Sequence, residues 1–277
     1  MDKEKLKNLL RKYNLKPNFT FGQNFLVDEG ALSEIVRAAD VSSADSILEI
    51  GPGIGNLTVE LLKIGAKVFS VEKDQKFLPI LRSIKDKYQN FEFAIGDFLD
   101  FDLENFNAKR TYKVVANIPY FITGKILRKL FAAWHKPSRV VLLTQKEVAE
   151  KITAKAGNMS LVGISVQIFG EPKIIGIVKS ESFFPAPKVD SAIIRIETYK
   201  KSKYKIEDEQ KFFKVVKGCF LGKRKQIHNT LKNNLGLKEE QVSRILKTLD
   251  IDLKTRPQEL PIEKWVLLYE LITKNHN

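Results

Sequence analysis

A chain of 277 residues, 43% of them hydrophobic, has room for one large domain and a smaller one, and enough apolar side chains to bury a core. Its formal charge is +14; its single cysteine, Cys219, excludes a disulfide framework, and no cysteine or histidine cluster offers a metal site. No apolar run is long enough to cross a bilayer, and the first sixteen residues lack the apolar core of a signal peptide, so the expected compartment is the cytoplasm.

The excess charge sits at the ends. Residues 1–25 hold six basic and two acidic side chains and residues 200–277 hold 18 and 10, which leaves the body near neutral. Such a distribution fits a polyanionic partner, because lysine and arginine displace counterions from phosphates, although lysine-rich surfaces also serve solubility.

In chain order, residues 1–16 read as a short basic helix ended by Pro17, since the residue before a proline is pushed out of helical geometry. Residues 19–26 are dense in aromatics and amides. They either staple the helix expected over 28–40, with Asp28 as N-cap, or supply Gln23 and Asn24 to a ligand. Residues 46–50 form an apolar run of the kind expected for a buried parallel strand, and Gly51-Pro52-Gly53-Ile54-Gly55 follows it into a helix with Leu57, Leu61 and Leu62 on one face. Strand, glycine loop, helix is the grammar of a nucleotide pocket, although tight turns also use glycine for steric reasons alone.

A second strand over 67–71 leads to Glu72, 21 positions after Gly51. An acidic residue there, at the carboxyl end of a strand, is where a doubly wound fold binds ribose hydroxyls. The pair reads as a nucleoside pocket, for either a dinucleotide or S-adenosylmethionine. After a helix around 77–84, a strand over 91–95 ends in Gly96-Asp97-Phe98, where Asp97 suits either an adenine amine or a helix cap. The fourth strand, 112–116, ends in Asn117-Ile118-Pro119-Tyr120. As a bare pattern this is a turn; at the end of that strand it can hold a planar amine. The Asn117 side-chain oxygen and the Ile118 carbonyl would accept from the amine and the Tyr120 ring would stack on its base.

A helix over 124–133, a strand over 139–143, a helix over 146–153, a segment over 161–169 and strands over 173–178 and 191–198 follow. Between the last two strands, Phe183-Phe184-Pro185-Ala186-Pro187 is a stiff loop that either presents Phe183 or Phe184 opposite Tyr120 or buries them as core. Composition changes after Tyr199, and helical patterns run over 212–220, 225–235, 239–249 and 262–272. Lys223, Arg224 and Lys225 form a basic patch at a helix start and are the expected phosphate contacts. The division is therefore 1–199 for the α/β domain and 200–277 for an all-helical one.

Gly22-Gln23-Asn24-Phe25-Leu26, residues 49–58, Glu72, Gly96-Asp97, residues 117–120, residues 145–150 and residues 183–192 occur in the order and spacing of the ribosomal RNA adenine dimethyltransferases, which the chain resembles from about residue 8 to its C-terminus. Within that family the resemblance is greatest to the bacterial enzymes that dimethylate two adjacent adenosines in the hairpin near the 3′ end of small-subunit RNA, and whose loss gives kasugamycin resistance. The resemblance implies a Rossmann-like class I methyltransferase sheet of seven strands, the last antiparallel, followed by a small helical domain facing RNA. It implies S-adenosylmethionine as cofactor, no metal, no membrane, and a monomer acting on small-subunit ribosomal RNA or its precursor particle. It places Gln23, Asn24, Leu26, Gly51, Gly53, Glu72, Lys73, Asp97, Phe98 and Asn117 around the cofactor, and Asn117, Ile118, Pro119, Tyr120 and Phe183 around the target base. Ile118 stands where that family usually has leucine. Isoleucine there is commoner in related methylases that modify large-subunit RNA and confer macrolide resistance, which is one alternative; a ribosome-assembly factor acting by binding is another. A dinucleotide oxidoreductase, permitted by the glycine loop alone, gives Asn-Ile-Pro-Tyr no role.

Overall fold

Apolar runs that do not alternate belong to strands covered on both faces, and five of them form the parallel part of one sheet. They are β1 (Ser46–Ile50), β2 (Lys67–Glu72), β3 (Phe91–Ile95), β4 (Lys113–Asn117) and β5 (Arg139–Gln145). Ile47, Leu48, Val114, Val115 and residues 140–143 of these strands are fully buried. Two later strands, β6 (Gly170–Val178) and β7 (Ser191–Thr198), complete a seven-stranded sheet of order β3-β2-β1-β4-β5-β7-β6. β7 runs antiparallel to β5, with Val141 opposite Arg195, as expected for the last strand of a class I methyltransferase sheet.

The computed structural model describes residues 2–18, 22–103, 111–222 and 224–274. The chain divides into two compact units, one of Met1–Ala149 with Glu171–Thr198, the other of Glu150–Gly170 with Tyr199–Asn277. The sheet unit includes helices α1 (Lys3–Lys12), α2 (Glu29–Ala39), α3 (Asn56–Lys63), α4 (Leu78–Lys87) and α5 (Thr123–Ala132), and α6 (Lys146–Thr153) begins in it. Asp28 caps α2 as expected, its Oδ1 accepting from the Ala31 amide at 3.0 Å.

The expected boundary at 199/200 follows the change in composition; the division by packing differs at residues 150–170. The short helix α7 (Leu161–Gln167) is largely apolar, and Ile164 packs with Met159 and Ile168 into the core of the helical unit, beside Phe212, Val216 and the fully buried Trp265. The amides of Gly157 and Met159 both donate to the Gln258 carbonyl, at 3.2 and 2.9 Å. That core is completed by α8 (Glu209–Phe220), α9 (Ile227–Leu235), α10 (Glu239–Thr248) and α11 (Ile262–Lys274).

Topology fixes where a site can lie. In the sheet β1 has β2 on one side and β4 on the other, and all three are parallel. Chain connections leave in opposite directions from this point, which opens a crevice beyond the carboxyl ends of the strands. Ile50, Glu72, Ile95 and Asn117 end β1 to β4, so the glycine loop, Glu72, Asp97 and the Asn117 turn all lie along one sheet edge.

Candidate active site

The glycine loop shapes the floor of the crevice. Gly51, Gly53 and Gly55 all have positive φ, at 69°, 54° and 79°. A Cβ on Gly55 would lie 2.2 Å from Ile84 Cδ1, which would have to move, and the φ of 79° strains any larger residue there, whereas a Cβ on Gly51 would meet open space. The loop delivers the chain to the N-terminus of α3 and rims a cavity of about 340 Å³ lined by residues of the sheet unit.

One end of the cavity is closed by a hydrogen-bonded lattice around Glu72, which is 5% exposed. Its Oε2 accepts from the Gly53 amide at 2.9 Å and its Oε1 from the Asp74 amide at 2.8 Å. Burial raises the pKa of this carboxyl, against the pull of those two amides. Asp74 in turn accepts from Gln23 Nε2 at 2.9 Å, and Gln23 Oε1 takes the Asn18 amide at 2.7 Å. The Gln23 amide is thus used at both ends. It lines the cavity, but its work is to tie the incoming loop to the strand that carries Glu72.

Beside this lattice Asp97 holds the Leu99 amide on Oδ1 at 2.8 Å and Lys73 Nζ on Oδ2 at 2.6 Å. Lys73 and the Leu99 amide keep the Asp97 carboxyl below its ordinary pKa. The pair is largely exposed on the lysine side, where solvent screens it, which leaves Asp97 able to exchange Lys73 for another donor. Phe98 lines the wall between them, buried, with Lys129 Nζ 5.6 Å from its ring centroid.

The other end is the Asn117 turn. Asn117 Nδ2 donates to the Asn24 carbonyl at 3.2 Å, which orients the side chain; its Oδ1 accepts from no described residue. Ile118 buries its side chain, at 2% exposure, and its amide reaches the Leu143 carbonyl at 3.4 Å. Pro119 leads into a single helical turn, Tyr120–Ile122, continuous with α5. Tyr120 is half-buried, and its Oη lies 2.7 Å from Ser191 Oγ at the start of β7, an anchor that fixes the ring. Burial raises the phenol's pKa, so it stays neutral. Thr123 locks the turn from behind, its Oγ1 donating to the Tyr120 carbonyl at 3.1 Å and lying 2.8 Å from Thr144 Oγ1.

Gln23, Asn24, Leu26, Gly51, Gly53, Glu72, Lys73, Asp97, Phe98, Asn117, Ile118, Pro119 and Tyr120 all line this one cavity. Phe183 does not. It is 1% exposed, packed in the core, and paired with Leu26 in an antiparallel ribbon of two-residue strands, Phe25–Leu26 with Phe183–Phe184. Its ring is therefore core and not a partner for Tyr120; the ribbon pins residues 22–26 over the glycine loop, where Phe25 Cε1 would meet a Cβ on Gly53 at 3.3 Å. Phe184 is half-buried under Lys7 Nζ, 5.5 Å from its ring centroid. In the helical unit Arg224 and Lys225 are exposed in a turn before α9, closed by the Lys225 amide on the Gly222 carbonyl at 2.7 Å; Lys223 lies outside the described residues.

Three residues that line the cavity, Glu49, Phe121 and Lys125, were given no role on sequence grounds. Glu49, in the middle of an apolar strand, is 1% exposed, and Thr58 and Ser70 hydroxyls both donate to its Oε2 at 2.7 Å. Burial pushes its pKa up to about 7, against the pull of those hydroxyls. A carboxylate inside a buried strand was the available signal. Phe121 and Lys125 also line the cavity, and their spacing of four was the signal there. Among the described residues no group of His, Cys, Asp and Glu could hold a metal ion, and no helix is long and apolar enough to cross a membrane.

The family model described as ribosomal RNA adenine dimethylase matches residues 14–274. A relative from Dehalococcoides mccartyi named ribosomal RNA small subunit methyltransferase A is 36% identical over 260 residues, 94% of this chain and 89% of the relative. Among solved structures, a dimethyladenosine transferase from Plasmodium falciparum superposes with a TM-score of 0.78 at 28% identity, over 91% of this chain and 98% of that one. The 23S rRNA methyltransferase ErmE gives a TM-score of 0.72 at 27% identity, over 90% and 100%.

Proposed function

The chain belongs to the ribosomal RNA adenine dimethylase family, and from that premise we propose that it moves methyl groups from S-adenosylmethionine to the exocyclic amines of two adjacent adenosines in the hairpin near the 3′ end of small-subunit ribosomal RNA, twice per base. It is an enzyme, a small-subunit ribosomal RNA adenine dimethyltransferase.

The donor set fits the cofactor. Glu72 offers carboxylate oxygens already fixed by two backbone amides, suited to a vicinal diol, and Asp97 offers an acceptor to an adenine amine beside the Phe98 wall. Gly51 leaves room where a side chain would intrude. When bound, S-adenosylmethionine supplies a methyl group already activated on a sulfonium.

The chain's own task is then to present the acceptor nitrogen. An adenine amine is a weak nucleophile because its lone pair is delocalised into the ring. Hydrogen bonds from its N–H groups to Asn117 Oδ1 and the Ile118 carbonyl, two in the first transfer and one in the second, favour a pyramidal nitrogen with the lone pair directed away from the ring plane; the cationic nitrogen formed by each transfer is a strong acid and gives up its proton to water. Orientation of this kind supplies much of the rate, and no strong general base is required. The target base must leave its stack, at a cost of a few kcal/mol, and the anchored Tyr120 ring offsets part of it by stacking. Arg224 and Lys225 contribute phosphate contacts from the helical unit.

The observation that carries this reading is a pair of acceptors, Asn117 Oδ1 and the Ile118 carbonyl, that are uncommitted among the described residues and lie in the same cavity as Glu72 and Asp97. The large-subunit alternative draws on the ErmE likeness and on isoleucine at 118. That side chain is 2% exposed, so isoleucine there serves core packing, and the part given to the residue in this reading is its carbonyl's. The test is methyl transfer from labelled S-adenosylmethionine to undermethylated small subunits and, separately, to protein-free large-subunit RNA, with the product identified by mass. Dimethyladenosine in small subunits alone is expected; label confined to large-subunit RNA would move the assignment, and no label in either would leave an assembly factor.

A further inference from the structure

The turn that carries Tyr120 continues into α5, and that continuation has two faces of different character. Thr123, Ile126, Leu127, Leu130 and Phe131 are buried, and Phe121, Lys125 and Arg128 are exposed. Spacings of four and three put the exposed trio on one helical stripe. Phe121 is 70% exposed, an unusual place for an aromatic ring, and both it and Lys125 line the mouth of the cavity. Pro119 and the edge of the Phe121 ring close over Gly22, where a Cβ would lie 3.2 and 3.4 Å away.

Among the described residues the charge on the stripe is uncompensated. The helix contains no acidic residue, and neither Lys125 nor Arg128 has a carboxylate within ion-pair distance among the described residues. Lys129, the third basic residue of α5, faces elsewhere and is committed, its Nζ donating to the Leu99 carbonyl at 2.7 Å while it covers Phe98. The same helix thus spends one cation on the fold and leaves two on the stripe that starts at the mouth.

The geometry points to a track for the RNA strand that flanks the target adenosine: Phe121 stacks on the neighbouring nucleotide, and Lys125 and Arg128 meet successive phosphates of that strand. This rests on the reading of the cavity as an adenosine pocket, and extends it to a surface outside it. An exposed aromatic followed by cations at one-turn spacing is what a single strand requires, since every base offers a π face and every linkage a charge. Three and four residues of helix rise about 4.5 and 6 Å, so the stripe leads stepwise away from the pocket. A flanking strand held in this way also keeps the duplex from closing again over the extruded base.

The test is steady-state methyl transfer to undermethylated small subunits across a salt series, with binding of a labelled single-stranded RNA measured in parallel. For Lys125→Gln/Arg128→Gln the expected result is a KM raised roughly tenfold, kcat within about twofold, and a slope of log affinity against log salt shallower by about 1.4 in the binding measurement, from two lost phosphate contacts. Phe121→Ala is expected to weaken RNA binding by roughly 5- to 100-fold with an unchanged salt slope, and Phe121→Trp to restore it. A control pair at exposed lysines, Lys67→Gln/Lys87→Gln, is expected to leave the slope at the wild-type value; Lys67 begins β2, at the opposite strand end from Glu72. A wild-type slope in the Lys125/Arg128 variant, or an equal loss in the control pair, overturns the track. If wild-type protein fails to methylate small subunits, the pocket reading fails, while the binding series still decides the track.

Discussion

The two ends of the cavity are built on opposite plans. Around Glu72 every polar atom of the lattice has a protein partner: two backbone amides on the carboxylate, Gln23 on Asp74, and Gln23 itself held by Asn18. At Asn117 one bond orients the side chain, and among the described residues nothing donates to the opposite oxygen. The first arrangement suits a ligand bound by shape and by spare lone pairs on fixed oxygens. The second suits an acceptor amine that must be reorganised as it reacts. Buried polar groups are costly without partners, so the cofactor end has to be satisfied by the fold itself, whereas the half-buried acceptor end can keep a vacancy.

The contrast is broken most severely by Glu72→Ala, which leaves the Gly53 and Asp74 amides without their acceptor. A loss of about 4 kcal/mol in unfolding free energy is expected from two orphaned donors, together with loss of cofactor binding, read by denaturant titration and by calorimetry. Next comes Glu49→Gln. The folded carboxyl has a pKa of about 7 against an ordinary 4.5. A raised carboxyl pKa favours the folded state fully below the unfolded value and loses that contribution as pH rises through the folded one. Wild-type stability is therefore expected to fall between pH 4.5 and 7 by on the order of 3 kcal/mol from this group, and the variant's pH profile to be flatter by that amount in thermal melts. Equal profiles would show that Glu49 titrates normally. Tyr120→Ala tests the other end: RNA affinity should drop by about 1–3 kcal/mol while cofactor affinity holds. Smallest is Gln23→Ala, expected to cost about 1 kcal/mol of stability and to raise the cofactor Kd a few-fold by slackening the loop; an unchanged Kd would make Gln23 a purely local tie.

Much of this was legible in the sequence because parallel strands deliver their carboxyl ends to one edge. Glu72, Asp97 and Asn117 each follow an apolar run, and that placement alone brought them to one cavity. Contacts that join distant segments left no local trace. The Phe25–Leu26 strand pairs across more than 150 residues with Phe183–Phe184, and two-residue strands have no periodicity to read. Stiff prolines beside Phe183 suggested a ring presented to the base, but an aromatic in a short ribbon gains more by burial, and Phe183 is core. The lock of Gln23 on Asp74 spans 51 residues and made an apparent ligand contact into a brace. Residues 150–170 carry no compositional break, so their place in the helical core became visible only from the packing of Ile164.

The central claim is that the Asn117 turn acts by presenting an amine and not by holding the cofactor. Single-turnover methyl transfer by Asn117→Ala, with cofactor affinity titrated on the same preparation, separates the two. The account predicts a rate lower by roughly 10²–10³-fold, the loss typical of removing one preorganised polar partner of a reacting group, with the cofactor Kd within about fivefold of wild type. A wild-type rate, or a Kd that rises in step with the loss of rate, would contradict it.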